Sequence, residues 1–154
     1  MQHKKLLVVL AILLVTNVAL VWGDQVLQGG GTTMVTGGTG SPSFAPVITK
    51  LAFHWRDGQG HFECLALTSG TAAGTPGSGN FDTHVMYVTG EITAVEIHAS
   101  KATLTGIVTV TGLGAGSNVP FTAVAERGGP GTRFVLTVSG LTFDEILLEG
   151  EITF

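Results

Sequence analysis

Residues 102–112 read A-T-L-T-G-I-V-T-V-T-G, with Thr103, Thr105, Thr109 and Thr111 on one parity and Leu104, Val108 and Val110 on the other. A period of two in β-branched and apolar side chains is the pattern of a half-buried strand, because successive side chains of a strand point to opposite faces. Glycine inside such a segment, here Gly106, marks a bend or a close backbone approach. The same texture extends in both directions. It predicts strands near 47–56, 61–68, 82–89, 91–99, 102–111, 119–126, 132–139 and 145–153. Between them stand R-D-G-Q-G, S-G-T-A-A-G-T-P-G-S-G-N, A-S-K, G-L-G-A-G-S-N, R-G-G-P-G and S-G-L-T, which supply the glycine, asparagine and proline of tight reversals. Helical periodicity is weak throughout. Its best case is F-D-E-I-L-L-E, 143–149, expected as one or two helical turns capped by Thr142.

T-G-E-I-T at 89–93, T-G-I-V-T at 105–109, S-G-L-T at 139–142 and E-G-E-I-T at 149–153 place a glycine in or beside successive strands. Repeated kinks curl a sheet toward closure, and closure removes exposed edges through which a hydrophobic chain aggregates. The expected fold is therefore all-β, an antiparallel meander of seven to nine strands forming a closed or nearly closed barrel. A two-sheet sandwich is the alternative.

The 154 residues include 23 glycines, one cysteine and only 12% charged residues. The chain begins M-Q-H-K-K and continues into an apolar run from Leu6 to Trp22, the arrangement of a secretory signal. Val21 and Gly23 suit cleavage after Gly23, with Ala19 as a second site; an uncleaved anchor is the alternative, since a largely apolar run of 17 residues reaches the lower limit of a span. The expected organisation is a signal peptide at 1–23, a Gly/Thr-rich linker at 24–45 with one short strand near 32–36, and a barrel-like domain at 46–154. Without residues 1–23, five basic residues face eleven acidic ones, a net charge of −6, which gives no electrostatic basis for binding nucleic acid or an anionic membrane. Cys64 has no partner for an internal disulfide, so an exported domain must hold together through its core.

The order G-G-G near the start, then D-G-x-G-x-F-x-C, then E-I-T-A-V-E-I, A-T-L-T-G-I-V-T-V-T-G, V-P-F-T-A-V-A-E-R-G-G-P-G and a closing G-E-I-T resembles the post-COAP type domain, a small secreted β module of bacteria. The likeness spans roughly residues 29–154 and implies export and an all-β fold, with no activity or catalytic residue to carry over. The sequence departs from that family where Glu126-Arg127-Gly128 replaces a polar D-N-G turn.

Reactive residues concentrate in H-W-R-D-G-Q-G-H-F-E-C-L, His54 to Leu65. Read as a hairpin with Asp57 to Gly60 in the loop, it sets Arg56 opposite His61 and His54 opposite Glu63, with Phe53, Trp55, Phe62 and Cys64 on the other face. Cys64 then belongs to the core and cannot join the histidines around a metal. His54, His61 and Glu63 remain the metal candidates, and Arg56 beside them disfavours a cation. Asp82 and His84 share a strand face and could orient an imidazole, but no serine sits in a nucleophile elbow. G-L-G-A-G-S, 112–117, joins two strands and lacks the lysine of a phosphate loop. Asp144, Glu145, Glu149 and Glu151 offer carboxylates without a calcium loop. Trp55 would give a sugar-stacking platform only if exposed.

These residues hold no complete constellation of nucleophile, base and orienting group and no cofactor motif. The sequence predicts a secreted, non-catalytic β module whose partner is an extracellular protein, a glycan or a small apolar ligand. A small-barrel enzyme of the cyclase or isomerase kind would need Asp82, His84, Glu63 or Glu96 to face an open interior; a carrier would need that cavity, or His54, His61 and Glu63 converging on a metal.

Overall fold

A computed structural model describes residues 25–40, 46–69 and 81–154, and only the backbone of residues 81 and 82. The expected signal peptide lies outside the described residues, as do the side chain of Asp82 and most of the 69–80 connection. The strands are β1 (Val26–Gly37), β2 (Val47–Arg56), β3 (Gln59–Ser69), β4 (Phe81–His98), β5 (Lys101–Gly112), β6 (Gly116–Glu126), β7 (Arg133–Val138) and β8 (Leu141–Thr153). Each pairs antiparallel with the next, and β8 pairs back with β1, so the sheet is a closed eight-stranded barrel rather than a sandwich.

In β5, Ala102, Leu104, Val108 and Val110 are buried while the alternating threonines face outward. This alternation runs around the barrel. Phe53, Phe62, Phe121 and Phe134 stack in the interior, with ring centroids 4.9 Å apart for Phe62 and Phe121 and 6.3 Å apart for Phe62 and Phe134. Lys50, Arg56, Glu63, Glu91 and Glu151 lie on the outside. Membrane-spanning barrels have the reverse arrangement, with an apolar band facing lipid.

Three sequence expectations change. The stretch expected as a linker with one short strand near 32–36 holds instead β1, a 12-residue strand that includes that segment and closes the barrel. Its glycines bury little side-chain surface, but both of its edges are hydrogen-bonded, to β2 from Val26↔Arg56 onward and to β8 from Gln28↔Thr153 onward. Pairing on both edges stabilises what composition alone would leave disordered. The expected strands 82–89 and 91–99 are one strand, β4, running unbroken through Gly90; the irregularity falls at Thr93, an extra residue between the pairs Ile92↔Gly106 and Ala94↔Thr105. Residues 143–149 are strand, not helix. Phe143, Glu145 and Leu147 point inward at period two, and Leu148 is an extra residue before Glu149 resumes pairing with Thr32. That bulge shifts the strand's phase and leaves apolar residues at 143, 146, 147 and 148, spacings that imitate a helix.

Candidate functional site

The turn between β2 and β3 is two residues, Asp57 and Gly58, not the expected four. Both have positive φ, 53° and 83°, as a type I′ turn requires, and an Asp-Gly pair adopts it readily. Arg56 therefore pairs with Gln59, and His54 with His61 rather than with Glu63. The change slides the register by two residues, so every side chain keeps its face: His54, Arg56, His61 and Glu63 are outside, Phe53, Phe62 and Cys64 inside.

On the outer wall His61 stands between His54 on β2 and Glu91 on β4. The two imidazole rings are 6.5 Å apart, tilted by 34°, and His61 Nε2 lies 3.2 Å from the Thr89 hydroxyl. Glu63 is engaged elsewhere. It accepts a hydrogen bond from the Tyr87 hydroxyl, which holds that phenol's pKa above its ordinary value, and it does not close a triangle with the histidines. Among the described residues no three His, Cys, Asp or Glu side chains are grouped to hold a metal ion. His54, Arg56, His61, Glu91 and Thr93 instead line a surface depression of about 650 Å³, with Gly58 and Gly60 contributing no side chains to it. Arg56 Nε lies 3.5 Å from the Asp57 carboxylate. The depression offers imidazole, guanidinium, carboxylate and hydroxyl groups for hydrogen bonding, and no aromatic ring beyond the two imidazoles.

The other candidates are dispersed. His84 and Glu96 are exposed on β4, and Glu63 is exposed on β3, so these three do not face the interior as a barrel enzyme would need. Glu96 lies 4.0 Å from His98. Asp144 accepts two hydrogen bonds from the Arg133 guanidinium, at 2.7 and 2.6 Å, and this partner holds its carboxyl below the ordinary range. Glu149 accepts from the Thr32 hydroxyl at 2.5 Å. Residues 112–116 connect β5 to β6 as a turn. Trp55 is half-buried against the core, and its indole N–H is buried with no hydrogen-bond partner.

Sequence reasoning grouped Glu145 with surface carboxylates, but it points into the barrel and is 1% exposed. Burial pushes its pKa up to about 7, against the opposing pull of the Thr33 and Thr49 hydroxyls. Thr33 on β1 donates to its carboxyl, and Thr33 and Thr49 are themselves buried. Cys64 lies in the same interior; its thiol pKa is raised by burial and, secondarily, by the charge of Glu145. The signal was available in the sequence, since Phe143, Glu145 and Leu147 alternate with Asp144 and Ile146 once the segment is read as strand. Compared with protein-family models, with curated proteins and with solved structures, the chain matches none, so these residues carry the functional reading.

Proposed function

We propose that this chain is a non-catalytic β module of the cell exterior that binds an extracellular protein through the outer wall of β2, β3 and β4. The observation that carries the reading is the segregation of chemistry across that wall. Phenylalanines and aliphatic residues occupy the interior, while His54, Arg56, His61, Glu91 and Thr93 line one depression outside. A small apolar ligand would need room where Phe53, Phe62, Phe121 and Phe134 pack on one another. A glycan would favour an aromatic stacking surface, and Trp55 packs against the core instead. Exposed charged and imidazole groups around a shallow hollow suit the polar rim of a protein interface. The resemblance to secreted post-COAP type modules supports only the part of this reading that concerns export, which is what that family implies.

Site-specific photo-crosslinking tests this. A photoreactive side chain at position 54, offered to the secreted proteins of the source cells, is expected to give one discrete adduct that excess unlabelled wild-type chain competes away and a His61→Ala/Glu91→Ala chain does not. The same label at Thr122, on the opposite wall, is expected to give none. Equal adducts from both positions, or none that the wild type displaces, would overturn the proposal.

A further inference from the structure

Glu145 sits where β1 closes the barrel. On β8 it pairs with Val35, between two register irregularities of the β1–β8 ladder, one at Thr32/Thr33 and one at Val35/Gly37. Irregular pairing leaves backbone groups without ladder partners and makes this stretch rely more on side-chain contacts. β1 supplies few of these. Of its twelve residues only Leu27, Thr33 and Val35 are buried, whereas β5 buries alternate residues from Ala102 to Val110. In the middle of β1 the inward contact is the Thr33 hydroxyl on the Glu145 carboxyl, with the Thr49 carbonyl 3.4 Å from the same hydroxyl.

We propose that the buried Glu145 carboxyl makes β1 a proton-dependent latch: with the carboxyl neutral the strand is held in the closed barrel, and with the carboxyl ionised β1 opens locally before the other strands do. An ionised carboxylate is poorly tolerated among apolar side chains, and the two threonine hydroxyls give it only partial compensation. Water reaches it by the shortest rearrangement if β1 lifts, because β1 forfeits the least apolar burial of the strands around it. The groups facing Glu145 are Thr33 and Val35 from β1, Thr49 from β2, Cys64 from β3 and Phe134 from β7. Cys64 is the one titratable group among them, and neighbouring Asp144, on the outer face of β8, is paired with Arg133 of β7. The burial that raises the Glu145 pKa to about 7 places the transition near neutrality.

Hydrogen exchange of the full chain, read by mass spectrometry and corrected for intrinsic rates, tests the latch. Between about pH 5.5 and pH 8.5, amides of residues 26–37 are expected to lose about tenfold or more of their protection, and those of β5 markedly less. In Glu145→Gln the loss should vanish. Cys64 provides a second readout: at pH 8.5 its labelling by a thiol reagent should be slower in Glu145→Gln than in the wild type, since the thiol is reached when the seam opens. If Glu145→Gln does not fold, Thr33→Val, which takes away a hydroxyl that partly compensates the ionised carboxylate, should lose more β1 protection than the wild type between the same two pH values. Unchanged β1 protection, equal loss in all strands, or the same pH response in Glu145→Gln would each overturn the proposal.

Discussion

Gly150 on β8 and Gly31 on β1 meet so closely that a Cβ added to either would stand 2.0 Å from a backbone carbonyl oxygen of the other strand, that of Gly30 or of Glu149. Both residues have positive φ, 105° and 154°. A side chain here meets backbone, which cannot turn aside as a rotamer can, and adds the strain of the conformation itself. Gly150→Ala should therefore lower unfolding stability by about 3 kcal/mol or prevent closure. Gly30→Ala, whose Cβ would come no nearer than 3.3 Å to the Leu51 carbonyl, should lose much less. Urea denaturation of the two variants checks the difference, and equal midpoints would show that the seam is looser than described.

Glu145 predicts an unusual pH dependence of global stability. Its folded pKa, about 7, exceeds the ordinary value of 4.5, so between these values the folded chain holds a proton that the unfolded chain releases. This contribution is fully present below about 4.5, declines as pH rises through 7, and is then constant. At one pKa unit per 1.36 kcal/mol the span is about 3 kcal/mol. Glu145→Gln should flatten the limb and make the variant more stable than the wild type at pH 8. Thermal unfolding across pH 4 to 9 measures it; a parallel profile in the variant would assign the dependence to other groups.

The fold was legible wherever alternation was clean. Residues 102–112 announced β5, and the polar and apolar faces of His54 to Leu65 were assigned correctly although the turn length was not, because a slide of two residues preserves parity. Register is set by turn conformation, and here the Asp57-Gly58 pair carried the two-residue turn signal, but the second glycine at position 60 drew the loop out to four residues. Of β1 only the segment 32–36 was legible, and the rest was hidden for a different reason. Its order comes from two partner strands distant in sequence, a tertiary contribution that local hydrophobicity does not register. The Leu148 bulge disguised Glu145, and with it the one buried carboxyl among the described residues.

Arg133 and Asp144 give the acid limb an opposite sign. Asp144 has a lowered folded pKa because of the guanidinium, so its contribution is present above its ordinary value of 3.8 and lost as pH falls below it. Replacing Arg133 by methionine should reduce acid sensitivity below about pH 4 and leave the neutral limb set by Glu145 unchanged. The pair is substantially solvent-exposed, so added salt should shrink the effect. A variant that altered the neutral limb instead would show that Asp144 and Glu145 titrate as one unit.

Phe62 tests whether the interior is a packed core or an adaptable container. It is fully buried and its ring stacks against Phe53, Phe121 and Phe134 from three other strands. Removing the ring forfeits its transfer free energy and leaves a hole that neighbours anchored on separate strands cannot refill, which costs about 3 to 5 kcal/mol. Phe62→Leu keeps part of the volume and should lose clearly less. The hole would be apolar and dry, so Phe62→Ala should gain stability from a small apolar filler such as benzene while the wild type does not. If benzene stabilised both equally, the native interior would already hold accessible space, and the interior-ligand reading of this barrel would regain the ground that the stacked rings take from it.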